Sequence, residues 1–355
     1  MEDIRVVLWG LGAMGSGVAR VLAGRPGIRI VGAVGQRPER FGTDLGQAVG
    51  LERSLGVEIQ GDPEKVLSES KGDLVVHATA STVKEVTPDI ITALEQGYDV
   101  ISIAEEMAYP GVQDPERAQL INKKAMEAGK TVLGTGINPG FILDTLIIAL
   151  TGASTEVKSI KARRVNDLSP FGPTVMKTQG VGISAEEFEK GLAEGTVVGH
   201  IGFEESIHLI ARALGWKLDR VEQTREPIMA SEERKGEHIT VAQGMVAGCN
   251  HSARGYIEGE PRIILEHPQQ IQPSAAGIET GDFIQIEGTP PISMAIQPEI
   301  PGGIGTIALA CNTVGPVITA APGLITMAEL PVPRAVMGDI REAVSILANP
   351  SEHIS

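Results

Sequence analysis

Short apolar runs separated by segments of helical period fill the first part of the chain. Residues 4–9 form one such run, followed by Gly10-Leu11-Gly12-Ala13-Met14-Gly15 and a helix-like stretch to about residue 22. A second run covers 28–34, and shorter β-rich runs lie at 74–78, 100–103 and 131–133. Helical patterns at 83–96 and 115–128 separate them. Strands alternating with helices at this spacing predict a doubly wound parallel sheet. Its strands are buried on both faces, so they read as continuous apolar runs.

After Gly140 the pattern changes. Longer alternating stretches at 159–165, 238–246 and 283–287 are separated by polar loops rich in Gly and Pro. Alternation places one face in the core. With helical stretches at 185–192 and 204–214, it predicts a mostly antiparallel sheet covered by helices on one face. Residues 303–325 are Ala-rich and apolar and read as a helix returning to the first domain; a last helix is expected at 335–348. The expected organisation is α/β: a dinucleotide-binding Rossmann domain over 1–137, with helices from about 313–355 packing back on it. A second α+β domain over 138–312 is expected to bind substrate and dimerise.

Composition narrows the function. The net charge of −15 repels phosphate backbones and anionic membranes, which argues against nucleic-acid binding. Cys249 and Cys311 form no CxxC pair and read as reduced thiols of a cytoplasmic protein. None of the histidines belongs to an HExxH-type set, so no metal is expected. Charged residues interrupt the start of the chain, and no apolar run is expected to approach the ~18–20 residues that span a bilayer. Aromatic residues are only 3%, which favours a compact aliphatic substrate over an aromatic one.

Gly10-x-Gly12-x-x-Gly15 sits between a strand and a helix, where a dinucleotide fingerprint belongs. Its first Gly permits the turn, the second lets backbone approach a pyrophosphate, and the third lets helix and strand pack closely. The helix N-terminus then receives the phosphates. After the second strand an NAD-specific site usually carries Asp or Glu; here the chain reads Gly35-Gln36-Arg37-Pro38. Arg37, together with Arg40, can pair with a 2′-phosphate, or Arg37 is a solvated loop charge. NADP is expected to be accepted, and NAD stays open.

Glu105 and Glu106 follow the strand at 100–103, on the edge where open α/β sheets bind ligands. A partly desolvated Glu there can act as general acid or base; alternatively both cap the next helical turn. His77-Ala78-Thr79-Ala80-Ser81 ends another strand on the same edge, with Thr79 and Ser81 either touching the cofactor or capping a helix. Asn138-Pro139-Gly140 reads as a hinge at the crossover. Arg163, Arg164 and Asn166 end a strand of the second domain, and alternation lets only one of the two arginines face a given side. That arginine can hold a substrate carboxylate or form a solvated salt bridge. His200 and His251, each in a Gly-rich segment, are candidates for substrate contact or structural residues.

These residues together carry a resemblance. Trp9-Gly10-Leu11-Gly12-Ala13-Met14-Gly15, His77-Ala78-Thr79, Ala104-Glu105-Glu106-Met107 and Gly134-Thr135-Gly136-Ile137-Asn138-Pro139-Gly140-Phe141 resemble the 2,4-diaminopentanoate dehydrogenases and the native amine dehydrogenases. Val198-Gly199-His200-Ile201-Gly202-Phe203 and Pro322-Gly323-Leu324 extend the likeness over most of the chain. These families belong to the wider dihydrodipicolinate reductase-like group, whose reductase signature of paired histidines followed by lysine is missing here. The resemblance implies NAD(P)-dependent oxidative deamination at C4 of 2,4-diaminopentanoate, giving 2-amino-4-oxopentanoate and ammonia; a soluble protein is expected from the lack of a spanning run, and a homodimer from the sheet of the second domain. It assigns acid/base work to Glu105 or Glu106, with Glu105 preferred. The cofactor set is then Gly10, Gly12, Ala13, Met14, Gly15, Gln36, Arg37, His77, Ala78, Thr79, Ala80 and Asn312. The substrate set is Asn138, Phe141, Arg163, Arg164, Asn166, His200 and His251. Rival readings are a dehydrogenase of the homoserine or diaminopimelate type, an amine dehydrogenase acting on simple amines, and a non-catalytic NAD(P)-binding sensor.

Overall fold

The computed structural model describes residues 2–349. They divide into two compact units, Met1–Phe141 with Gly302–Ser355, and Ile142–Pro301. The first crossover therefore falls later than the expected boundary and the second earlier, so 138–141 and 302–312 belong to the first unit. The shift at 302–312 has a packing cause. Gly17 leaves room for Ile307, whose Cδ1 would lie 2.2 Å from a Cβ there, and the Thr306 hydroxyl accepts from the Ile137 N–H.

Along the first unit run β1 (Ile4–Trp9), α1 (Ala13–Leu22), β2 (Ile28–Val34), α2 (Leu45–Ala48), β3 (Ile59–Gln60) and α3 (Pro63–Ser70). Then come β4 (Leu74–His77), α4 (Val83–Glu95), β5 (Asp99–Ser102), α5 (Pro115–Ala128) and β6 (Thr131–Gly134). β4, β5 and β6 are buried at every position, as their apolar runs require. Asp62 and Asp114 cap α3 and α5, each ahead of a Pro at the first helical position.

The second unit holds α6 (Thr145–Thr151), β7 (Glu156–Asp167), α7 (Pro173–Thr178), α8 (Ala185–Glu194) and α9 (Phe203–Ala213). β8 (Arg220–Met229), β9 (Arg234–Lys235), β10 (Thr240–Val241), β11 (Val246–Ile257), β12 (Glu260–Gln270), β13 (Gly281–Thr289) and β14 (Ile292–Ile296) follow. The chain returns to the first unit as α10 (Gly302–Asn312), α11 (Val314–Thr319), β15 (Gly323–Ile325) and α12 (Ile340–Ala348).

The first sheet has the order β15-β6-β5-β4-β1-β2-β3, and all its pairs are parallel. This is the Rossmann order extended by one strand, and its order reverses between β1 and β4. Where the sequence predicts one helix over 303–325, Gly323–Ile325 instead pairs with β6 at the sheet edge. The last helix starts at Ile340, not 335, because Asp339 caps it by accepting from the Arg341 N–H; residues 350–355 of the expected segment lie outside the described residues. α10 and α11 together make an 18-residue stretch with mean hydropathy 1.3, long and apolar enough to cross a bilayer by length and composition. That corrects the expectation that no such run exists; 44% of it is buried within the protein.

The second unit contains a six-stranded sheet ordered β14-β13-β7-β12-β11-β8. It is mixed rather than purely antiparallel, since β7 and β12 run parallel. The strand expected over 238–246 is absent: only Thr240–Val241 pairs there, with β9, and the long strand begins at Val246. Ser184 and Glu187 build a capping box at the start of α8.

Candidate active site

In the first unit the chain leaves β1 at Trp9 and turns at Gly10, whose φ is +99°. A Cβ on Gly10 would stand 2.3 Å from the Ala78 carbonyl oxygen, and one on Gly15 would stand 1.8 Å from the Gly10 oxygen. Packing therefore demands both glycines. A Cβ on Gly12 would meet no protein atom within 4 Å, so its absence serves whatever approaches from outside. Beyond Gly12 the first-turn N–H groups of α1, on Ala13, Met14 and Gly15, have no intrahelical acceptors and lie at the positive pole of the helix. This is a cradle for a pyrophosphate.

A cavity of about 160 Å³ opens at the strand-order reversal. Gly10, Leu11, Gly12, Gly35, Gln36, Arg37, Arg40, Ile59, Ala78 and Thr79 line it. A neighbouring depression adds Ala13, Ser16 and Arg20 to Arg37 and Arg40. Arg40 donates to the carbonyls of Leu11 at 2.9 Å and Ala48 at 2.7 Å, so it clamps the glycine loop. Arg37 stays exposed beside it.

Three of the cofactor candidates do not line the cavity. His77 is buried under the cavity, where its Nε2 meets Asp89 and Thr79. Ala80 packs against the apolar core of the unit. Asn312 accepts from Arg25 beyond the C-terminal end of α1, and so lies at the opposite end of that helix from the glycine loop. Met14 is on the first turn of α1, with its side chain next to Gly303. Asn138 and Phe141 follow β6 in the segment that closes the first unit.

Glu105 and Glu106 open a 3-10 turn just after β5. Their roles separate. Glu106 Oε2 accepts from the Val83 N–H at 2.7 Å and so caps α4, while its own N–H donates to the Ser81 carbonyl at 3.1 Å. Glu105 has its pKa pushed up by burial; a hydrogen bond from Ser81 opposes this, and the Glu106 charge adds to it. A carboxyl raised in this way holds a proton more readily than a free one, as proton exchange with a substrate requires.

In the second unit, strand register assembles a polar cluster on the covered face of the sheet. His251 on β11 pairs across to His267 on β12 and to Arg225 on β8, and Arg164 on β7 pairs with Asp282 on β13. His251 Nδ1 accepts from the His200 N–H at 3.0 Å, and Nε2 contacts Gln223 Oε1 at 2.9 Å. His251 is thus the Nε2–H tautomer. His200 stacks edge-on against Phe203 and His267, with ring centroids 4.8 Å away in each case. His267 Nε2 contacts Asn166 Oδ1 at 3.0 Å.

Burial drives the His200 pKa down to about 3 and that of His251 to about 2, and the Arg225 charge helps in both. His267 is lowered as well, for the same first reason. All three rings are neutral hydrogen-bonding groups at physiological pH. They are not disposed as a metal-ligand set among the described residues. Arg164, 2% exposed, is bound to Asp282 at 2.5 Å and to the Ile300 carbonyl at 2.6 Å. Arg163 points to the opposite, exposed face near Glu266 and leaves the substrate set. Arg225, Gln223 and His267 were not singled out from sequence, because only strand register brings them to His251. Among the described residues Arg225 makes no ion pair; it donates to the Val198 carbonyl at 2.7 Å.

Comparison with known proteins agrees with this fold. The dihydrodipicolinate reductase N-terminus family matches residues 4–101, and the 2,4-diaminopentanoate dehydrogenase C-terminal domain family matches 141–346. The chain is 48% identical to a 2,4-diaminopentanoate dehydrogenase of Acetoanaerobium sticklandii over 97% of its own length and 98% of that protein. It is 27% identical to an amine dehydrogenase of Streptomyces virginiae, covering 94% of this chain and 98% of that one. The solved amine dehydrogenase from Mycobacterium smegmatis superposes with a TM-score of 0.83 at 27% identity, over 95% of this chain and 98% of that one. The first unit is a Rossmann-type NAD(P)-binding domain, its relatives are oxidoreductases acting on CH–NH₂ groups, and the chain belongs to the 2,4-diaminopentanoate dehydrogenase family.

Proposed function

We propose that the protein oxidises the C4 amine of 2,4-diaminopentanoate to 2-amino-4-oxopentanoate and ammonia, reversibly, with NAD(P). The observation that carries the reading is Glu105, a carboxyl with a raised pKa directly after the central strand β5 of a dinucleotide-binding sheet. The dinucleotide, when bound, supplies the hydride acceptor. Glu105 takes a proton from the substrate ammonium, because only the neutral amine releases hydride from its carbon readily. With the hydride gone the carbon is an iminium ion. Glu105 passes that proton to solvent, accepts one from water as the water adds to the iminium carbon, and gives it to the nitrogen; the carbinolamine then expels ammonia as its hydroxyl proton returns to Glu105. Water oxygen ends in the ketone, and nitrogen leaves as ammonia.

The polar cluster of the second unit supports an amino-acid substrate over a plain amine. Arg225 supplies a guanidinium that no carboxylate neutralises among the described residues, while His200, His251 and Asn166 supply neutral hydrogen-bonding groups. Reduced-nicotinamide absorbance with 2,4-diaminopentanoate beside simple amines tests the reading. Reduction with the diamino acid is expected. Arg225→Gln should raise its KM about 10–100-fold, the worth of one charge-assisted contact, with simple-amine turnover little changed. Reduction with simple amines alone would make the protein an amine dehydrogenase of another specificity; no reduction at all would sink the mechanism.

For the cofactor, β2 ends in Gly35-Gln36-Arg37 with no acid to repel a 2′-phosphate, and Arg37 is exposed at the cavity rim. This supports acceptance of NADP. Arg37→Ala should raise the KM for NADP about tenfold or more while leaving that for NAD within about twofold. Equal effects on both would show that Arg37 does not read the phosphate. The buried free thiols Cys249 and Cys311, both with pKa pushed up to about 12, suit a reducing cytoplasm. Self-association is assigned to the exposed face of the six-stranded sheet, which carries Lys161, Arg163, Thr224 and Glu226.

A further inference from the structure

We propose that Asp89 and His77 are a positioning pair that fixes Thr79 as a hydrogen-bond donor to the bound dinucleotide. His77 is the last residue of β4, 1% exposed, with its ring edge-on to Trp9 at 5.8 Å between centroids. Its Nε2 lies 3.0 Å from Asp89 Oδ2 on α4 and 2.9 Å from Thr79 Oγ1. Its Nδ1 lies 3.5 Å from Ser102 Oγ, which accepts from the Ala104 N–H at 3.3 Å.

The chemistry of these partners fixes the direction of each bond. An ionised carboxylate only accepts, so the hydrogen shared between His77 and Asp89 sits on Nε2. Thr79 Oγ1, beside that same N–H, accepts from it. The hydroxyl hydrogen of Thr79 is then left for an acceptor elsewhere. In the opposite tautomer Thr79 would give that hydrogen to Nε2 and offer only lone pairs. Ser102 completes the arrangement: its hydroxyl donates to Nδ1 while its oxygen holds the Ala104 N–H, one residue before Glu105.

Thr79 lines the cavity beside Gly10, and its Cγ2 would lie 3.1 Å from a Cβ there. A dinucleotide presents mainly acceptors at such a seat, its ribose and phosphate oxygens, so a threonine donor fits where a threonine acceptor does not. Neither Asp89 nor His77 lines the cavity, and both act through Thr79. The proposal rests on this cavity being the dinucleotide seat.

Titration calorimetry with NAD⁺ and NADP⁺ tests it on the wild type, Thr79→Val, Thr79→Ser, Asp89→Leu and the Thr79→Val/Asp89→Leu double variant. The Asp89 side chain is 29% exposed, so its replacement does not open the core. Thr79→Val and Asp89→Leu should each weaken binding about tenfold, as loss of one hydrogen bond does. The double variant should bind no more weakly than either single one, and Thr79→Ser should match the wild type. The sign is diagnostic, because removing an acid near a polyanion would by itself strengthen binding. Unchanged or tighter binding by Asp89→Leu, or losses that multiply in the double variant, would overturn the proposal. A wild type that binds neither dinucleotide would overturn the seat itself, and is distinguishable because no variant is then involved.

Discussion

Glu105→Gln should lower kcat for amine oxidation by about 10²–10⁴-fold, the usual contribution of a positioned general base. The dinucleotide dissociation constant should stay within about twofold of wild type, because Glu105 does not line the glycine-loop cavity. Glutamine keeps the shape and the contact with Ser81 but cannot hold a proton taken from the substrate ammonium. Glu106→Gln is the internal control. Its oxygen can still accept from the Val83 N–H, so α4 keeps its cap and turnover should fall only a few-fold. The assignment fails if both single variants turn over at nearly wild-type rates, and reverses if Glu106→Gln shows the larger loss.

The raised pKa of Glu105 adds a dependence on pH with a definite sign. Oxidation needs the ionised base, so kcat should fall on the acid side through a limb above the ordinary value of 4.5. Stability runs the other way. A carboxyl whose folded pKa is raised favours the folded state when protonated. That benefit is complete below its unfolded value and is lost as pH rises through the folded one. Glu105→Gln should therefore melt at a higher temperature than wild type at pH 8, and the gain should vanish below pH 4.5. A variant that is inactive and also less stable at pH 8 would mark Glu105 as a structural residue instead.

The parts legible in sequence and those that were not differ in how far apart the cooperating residues stand. β1, β4, β5 and β6 announce themselves because burial on both faces leaves each with consecutive apolar residues at its centre. The glycine loop is legible because its constraints are local: Gly10 and Gly15 each answer to a neighbour within the βα turn or the adjoining strand end, and Gly12 keeps the outer side of the turn open. β8 escapes notice because no position on it is fully buried, and its exposed residues include Arg220, Glu222 and Glu226. β15 is three residues inside an apolar run, and only pairing with β6 reveals it. Choosing between Glu105 and Glu106 needs the Val83 N–H, which lies more than a full helix away in sequence. The same holds for His77, read from its position as a cofactor contact, whose ring in fact turns inward to Asp89. Arg225, His251 and His267 come from three strands, so their cluster exists only once the register is known.

Arg164→Met should destabilise the second unit by about 3–5 kcal/mol, because it leaves Asp282 buried without its counter-charge. The pair is among the most enclosed in the protein, with side chains 2% and 0% exposed. Asp282 keeps its hydrogen bond from the Ile300 N–H, but the Ile300 carbonyl loses its donor as well. Urea unfolding followed through Trp216, in a Trp9→Phe background, reports on this unit, and the midpoint should drop with the slope unchanged. Burial already pushes the Asp282 pKa up, and Arg164 opposes that. Without the arginine the carboxyl protonates more readily, so the gap between variant and wild type should narrow as pH falls. The neutral histidines reinforce this trend. Their lowered folded pKa values give stability that is present above 6.5 and lost as pH falls below it, about 1.4 kcal/mol per pH unit for each ring. Arg164 is one cause of the lowering in His200 and His267, so its removal eases their protonation too. The double replacement Arg164→Met/Asp282→Leu removes both charges and should recover most of the loss. If the single variant costs nothing, Arg164 is not held by Asp282 in solution; if the double variant is no better than the single, the loss is one of packing and not of an unpaired charge.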